Sequence, residues 1–234
     1  RGYGQQSVDY ARAASNLAET FLRQGGFEEA KSLYEQSVAT FSKILGDDHW
    51  EAGEALKGIA LIQGALGKYE EADTYLQKAL AIYRITFDAD HPYVASTLND
   101  LASNNLKRGH YKHAEEFLQR ALSIRLQVLG PNHPDVAQTH ESYSSLYRLR
   151  KNAVSGLKSA ESAYKIRSNV FSTVSASMSE RDALAVSRLQ QETANKYFSC
   201  YSEVETERDR FVALIVYFCR FSMLGGKSFS IDNG

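Results

Sequence analysis

Cysteine is nearly absent from this chain. Cys200 and Cys219 are the only two in 234 residues, and both lie in apolar-rich C-terminal segments. So few thiols imply no disulfide framework, and reduced cysteines fit a cytoplasmic setting. Charge of either sign is not in excess: 27 basic against 28 acidic side chains leave a net charge of −1. Bulk charge therefore does not point to nucleic acid or an anionic membrane as partner. Long apolar runs are missing too, since the longest, Phe211 to Cys219, is about half of what a membrane span requires. The first residues show no signal-peptide pattern, and the chain starts at Arg1 without methionine, which fits a processed or excised fragment. What is abundant is apolar and aromatic content: 43% hydrophobic residues with 14 Tyr and 11 Phe, the composition of a folded chain.

A pattern recurs every 42 residues. His49, His91 and His133 are spaced by that interval, and each precedes a similar pair of helical segments. Between the first two run Leu56, Ile59, Ala60, Gly67, Tyr69, Ala72, Leu76 and Ala79. The next unit repeats them as Leu98, Leu101, Ala102, Gly109, Tyr111, Ala114, Leu118 and Ala121. An earlier unit has Ala14, Leu17, Ala18, Gly25, Phe27, Ala30 and Tyr34 at the matching places. A constant period of this length signals stacked supersecondary units, not one closed core.

Four units follow, at residues 7–48, 49–90, 91–132 and 133–174. In the first, helix A is expected over Ser7 to Gln24 and helix B over Phe27 to Leu45. Gly25-Gly26 breaks them apart because glycine enters left-handed conformations without steric cost. Gly67-Lys68 and Gly109-His110 are the equivalent turns. Pro92 and Pro134 fall where a new helix begins and a missing donor is harmless; Trp50 has that place in the second unit. The fourth unit is degenerate: Lys151 replaces the turn glycine, Ala153 the aromatic and Gly156 the small alanine. Terminal repeats are often atypical because one face has no neighbour. Beyond the repeats, residues 172–179 are serine-rich and read as a linker turn. Helices are expected from Ser177 or Ser179 to about Tyr201 and from Glu203 to Phe221, making a C-terminal extension at 175–222. Residues 223–234 read as a loose tail or the start of a further domain.

Alanine at 18, 60 and 102 marks one place in helix A, and alanine at 30, 72 and 114 one place in helix B. Small side chains there let two antiparallel helices approach closely. Each pair leaves an apolar face that the next pair covers. The expected fold is all-α: a right-handed superhelix of helix-turn-helix repeats with C-terminal capping helices and a concave groove lined by A helices.

These residues resemble the tetratricopeptide repeat (TPR) family, and the 42-residue unit resembles its kinesin light chain-like variety. The likeness is carried by Ile124-Arg125-Leu126-Gln127-Val128-Leu129-Gly130-Pro131-Asn132-His133-Pro134-Asp135-Val136-Ala137, with a second copy at Ala89-Asp90-His91-Pro92-Tyr93-Val94-Ala95. The resemblance implies a non-catalytic scaffold that holds a peptide or partner protein in the groove, with no cofactor and no metal. By the family's geometry the inward residues include Arg12, Asn16 and Arg23 in the first unit, Lys57 in the second, Asn99, Ser103 and Lys107 in the third, and Arg148 in the fourth. Arg12, Arg23, Lys57, Lys107 and Arg148 make a sparse basic track suited to an acidic or extended segment. These cations are expected to serve binding and not the fold. Asn16 and Asn99 can hold a peptide backbone as donor and acceptor. Ser15 and Glu19 stand where the family's carboxylate-gripping variety has Lys and Asn, so that mode is not implied. Met178 to Val186 and then Tyr197-Phe198-Ser199 look like the connector of bacterial TPR–CHAT proteins, in which repeats precede a caspase-like protease domain. That likeness implies the alternative role of a regulatory, partner-sensing region.

Other candidates reduce to packing. The histidines at 49, 91 and 133 lie one repeat apart, too far for shared ligation, and read as structural. His110 and His113 with Glu115 and Glu116 lack a third strong metal ligand. Cys200 has no histidine after residue 140 to activate it. Gly225-Gly226-Lys227-Ser228 fails as a phosphate loop because Phe221 stands where its first glycine should be. The apolar run at 211–219 needs cover, by the repeats, by an absent domain or by self-association with a second copy. One test of the register follows: Ala102→Leu should overfill a helix junction and cost about 1–3 kcal/mol, read by thermal unfolding, and unchanged stability would refute the register.

Overall fold

The computed structural model describes residues 7–175, which form eight helices and no strand. They are α1 (Val8–Gln24), α2 (Phe27–Leu45), α3 (Trp50–Ala65), α4 (Tyr69–Thr86), α5 (Pro92–Lys107), α6 (Tyr111–Leu129), α7 (Pro134–Leu149) and α8 (Ala153–Ser175). Each odd helix packs against the even helix that follows, and each even helix against the next odd one. The chain is thus a row of consecutive helix-turn-helix pairs. Cys200, Cys219, the TPR–CHAT-like stretch, the apolar run at 211–219 and the tail lie outside the described residues. The serine-rich segment begins differently from its reading as a turn, because α8 continues through Ser175. Among the described residues no helix is long and apolar enough to cross a membrane.

Local chemistry explains the boundaries. Ser7 caps α1 by accepting from the Tyr10 amide at 3.1 Å. His49, His91 and His133 cap α3, α5 and α7: each Nδ1 accepts from the amide two residues on, at 3.4, 3.2 and 3.2 Å. The recurrent histidine therefore satisfies one of the orphan amides at a helix start. The turns within the first three pairs are closed by Gly25, Gly67 and Gly109 with φ near +80°. Lys151 does the same in the fourth pair at φ 56°, the one non-glycine residue among those described with positive φ.

Small residues set the packing. Ala18, Ala60 and Ala102 are buried, as are Ala30, Ala72 and Ala114. Around them the core divides into a string of clusters. Tyr34, Ala55, Ile59 and Ile62 join the first two pairs. Leu76, Leu80, Tyr83, Val94, Leu98 and Leu101 join the second and third. Leu106, Leu118 and Leu146 join the third and fourth. The column through Leu17, Ile59 and Leu101 shows what stacking achieves: Leu17, in the first described pair, is 48% exposed, whereas Ile59 and Leu101 are 2% and 0% exposed. Successive A helices touch, α1 with α3 and α5 with α7, while no two successive B helices pack to a comparable extent. In a curved stack the inner elements approach most closely, so the A face is the concave one.

Two glycines define opposite packing limits. A Cβ on Gly58 would lie 2.4 Å from the Tyr34 ring, a distance no packing tolerates. One on Gly156 would meet its nearest neighbour, the Ser144 carbonyl, at 3.5 Å, an ordinary contact. Gly58→Ala should therefore destabilise by about 1–3 kcal/mol through overpacking. Gly156→Ala should stabilise by about 0.5–1 kcal/mol, as alanine does in a helix interior. Chemical denaturation of both variants decides, and a shared sign would contradict this packing.

Candidate functional site

The inner face is crossed by polar side chains that tie one A helix to the next. Arg12 on α1 donates from Nε to Glu51 Oε1 at 2.5 Å and from Nη2 to Glu51 Oε2 at 3.2 Å. Lys57 on α3 donates to Ser96 Oγ at 2.7 Å on α5 and lies 3.4 Å from Asp100 Oδ2. Both hydrogen-bonded pairs span 39 residues, but Arg12 repeats as Glu54 and Lys57 stands where the first unit has Ser15, so they are two different bridges between successive A helices. Burial pushes the Asp100 carboxyl above its ordinary range, and Lys57 opposes that shift.

These clamps change the meaning of the basic track. Lys57 is 18% exposed and committed to Ser96 and Asp100, so it holds the fold, contrary to its reading as a binding cation. Arg12 is bound to Glu51, and Arg23 pairs with Glu19 at 2.6 Å on its own helix. Asn99 is 3% exposed with an unpartnered Oδ1, so no surface remains to grip a peptide backbone. Ser103 is exposed, its hydroxyl donating back to the Asn99 carbonyl at 3.0 Å. Asn16, Lys107 and Arg148 are exposed. Lys107 and Arg148 form no ion pair or side-chain hydrogen bond among the described residues. Their registers differ: Lys107 repeats Arg23, whereas Arg148 repeats Leu106.

A column of B-helix residues, Phe41, Tyr83, Arg125 and Arg167, backs this face at 42-residue intervals. Tyr83 donates to Glu54 Oε1 at 2.7 Å, and burial and Glu54 together push the phenol above its usual range. Arg125 is buried, and its Nη1 donates to the Asp135 carbonyl and to Thr139 Oγ1, both at 2.7 Å. Its Nη2 reaches Gln138 Oε1 at 3.1 Å. Arg167 donates from Nε to Glu141 Oε1 at 2.7 Å. Phe41 has no polar group to offer, and the face opens beside it. A cavity of about 470 Å³ lies there, bordered by Arg12, Ser15, Asn16 and Glu19 of α1 and by Trp50, Glu51 and Glu54 of α3, with Tyr34 and Phe41 from α2. Burial raises the Tyr34 phenol to about 12, with Glu19 and then Glu54 adding to the shift.

The sequence reading named basic and amide side chains of this face but missed the cavity. The available signal was the break in the column, an apolar Phe41 where later units carry Tyr83, Arg125 and Arg167. His110 and His113 stand edge to face at 6.2 Å on the exposed α5–α6 turn.

A model of the tetratricopeptide repeat family matches residues 9–85 and, one unit later, 51–127. BtubC (BKLC) from P. vanneervenii is a similar solved structure: 19% identical, covering 97% of this chain and 89% of that one, TM-score 0.71. A Podospora anserina putative kinesin light chain with nearly identical TPR-like repeats is also 19% identical. It covers 95% of this chain and 100% of its own, with TM-score 0.65. At such identity the two show a shared fold. No curated protein matches the chain.

The Lys57 clamp generates a prediction. Lys57→Met leaves Asp100 without its cation and should destabilise by roughly 1–3 kcal/mol or more, the cost of an unpaired buried polar or charged group. A carboxyl whose folded midpoint is raised contributes stability that is present at low pH and lost as pH rises through that midpoint. The deficit should therefore shrink on acidification, as Asp100 takes up a proton. Denaturant midpoints of both proteins across pH test this, and a pH-independent deficit would contradict it.

Proposed function

The chain belongs to the tetratricopeptide repeat family, and from that premise we propose that its concave A-helix face holds an extended segment of a partner protein. The role is recognition, and no chemistry is assigned to the chain. The observation that carries the reading is a face at once open and polar: a cavity of about 470 Å³ between α1 and α3 that Asn16 borders, and exposed Ser103, Lys107 and Arg148 farther along. Cavities of a few hundred Å³ with a few placed polar groups are the usual form of a recognition pocket. An extended segment can be read by side chains spaced along such a groove.

Within this reading, preference for an acidic segment belongs to the third and fourth pairs. Arg12, Arg23 and Lys57 are each balanced by a carboxylate of the same chain. Lys107 and Arg148 are the cations left to meet a partner's charge, and Asn16 and Ser103 supply polar contacts. A short peptide held this way would bind in the micromolar range, roughly −8 kcal/mol.

Peptide display on the full chain provides the test. Selection should enrich acidic peptides, and Lys107→Glu with Arg148→Glu should weaken the best of them by about tenfold or more, equivalent to ~1.4 kcal/mol, with unchanged helicity. Equal affinity of the double variant would move the site off this face.

A further inference from the structure

The same junction between successive A helices can be compared at two points of the stack. Between α5 and α7 it is filled by the chain's own guanidinium. Arg125 enters from α6, held by Gln138 and by the Asp135 carbonyl. Subtracting one 42-residue period twice carries Arg125 to Phe41, Gln138 to Glu54 and Asp135 to Glu51. Between α1 and α3 Glu54 thus puts a carboxylate where Gln138 has a neutral amide, Glu51 stands in the place of Asp135, and Ala55 replaces Thr139, which also accepts from Arg125. The guanidinium does not recur, and an open cavity lies there.

We propose that this cavity binds a basic side chain of the partner polypeptide, an arginine for preference, which takes the place that Arg125 fills two units later. This rests on the reading of the A face as a recognition groove and adds what its first two pairs select. Glu54 is the anchor. Its Oε1 accepts from Tyr83, and it has no ion pair among the described residues. Glu51 is already matched by Arg12, and Glu19 by Arg23, so an entering cation meets Glu54 as the unbalanced charge. Trp50, Tyr34 and Phe41 supply aromatic surface beside it. A planar guanidinium stacks on such rings and forks onto a carboxylate, which an ammonium does less well. Ser15 Oγ, buried and without a hydrogen-bond partner, borders the same space and can accept a further N–H.

Trp50 is the single tryptophan of the chain and borders the cavity, so its emission reports occupancy directly. The probe is a blocked glycine–serine heptapeptide with one central arginine, titrated into the full chain beside its lysine, citrulline and glutamate counterparts. The arginine peptide should change Trp50 emission saturably. Citrulline, which keeps the shape and loses the charge, should bind at least about tenfold more weakly, glutamate more weakly still, and lysine between. Glu54→Gln should remove the arginine preference. Phe41→Arg, which supplies the missing guanidinium from within, should abolish the response while the thermal midpoint is kept or raised.

Equal binding of arginine and citrulline, or an unaltered preference in Glu54→Gln, would overturn the assignment of a cation. If no peptide affects Trp50 while acidic peptides still depend on Lys107 and Arg148, the cavity assignment falls and the groove reading stands. If neither experiment gives binding, both fall.

Discussion

The structure depends on how close two helices can come. Alanine at one place in each A helix and one place in each B helix removes the side-chain bulk that would hold their axes apart. Six of these alanines are fully or almost fully buried across three pairs. Close approach leaves each pair too thin to bury its own apolar face, so the face is completed by the next pair. Leu17 demonstrates the dependence: the same register that buries Ile59 and Leu101 leaves it half in solvent in the first described pair. Tight pairing and stacking are thus one constraint, and the inner face of A helices is its by-product.

That inner face is narrow, and charge on it is shared between two duties. Arg12 with Glu51 and Lys57 with Ser96 and Asp100 fix the spacing of neighbouring A helices, and a residue so engaged is not available to a partner. The cost of taking charge out of water is offset only when geometry is good, and it bears on Lys57 and Asp100, which are 18% and 21% exposed, more than on Arg12 at 53%. Charged groups on A helices with no ion pair among the described residues, Lys107 in the third unit and Glu54 in the second, are what distinguishes one end of the groove from the other.

The fold was legible because its determinants are local and periodic. Alanine columns, turn glycines, prolines at helix starts and the recurrent histidine all report through spacing, and eight helices follow from them. Lys151 was legible as a substitution for glycine, and it adopts the glycine's left-handed backbone. The site was legible as a face and not as a set of partners. The family resemblance implies that Lys57 and Asn99 point inward. It does not say that Asp100 and Ser96 hold the first, or that close packing buries the second. Side-chain pairing between units is a relation at 39 and 43 residues, and it emerges only when the rotation between pairs is known. The beginning of α8's serine-rich end was misread for a related reason: serine composition disfavours helix weakly, and the helix overrides it through Ser175.

The Phe41, Tyr83, Arg125 and Arg167 column carries the argument one step further. In a repeat protein each unit repeats the backbone, so one position can be varied without disturbing its neighbours. Here a single B-helix position behind the groove is apolar, then phenolic, then cationic twice, and the junction in front of it changes accordingly. Where the side chain reaches an acceptor, the junction is satisfied from within. Where it is Phe41, Glu54 on α3 borders a cavity with a hydrogen bond from Tyr83 but no ion pair among the described residues, and on the proposed reading the missing cation comes from a ligand. On the proposed reading, specificity in such a stack is set by which junctions the chain declines to fill, and that choice is written in the residues behind the groove as much as in those that line it.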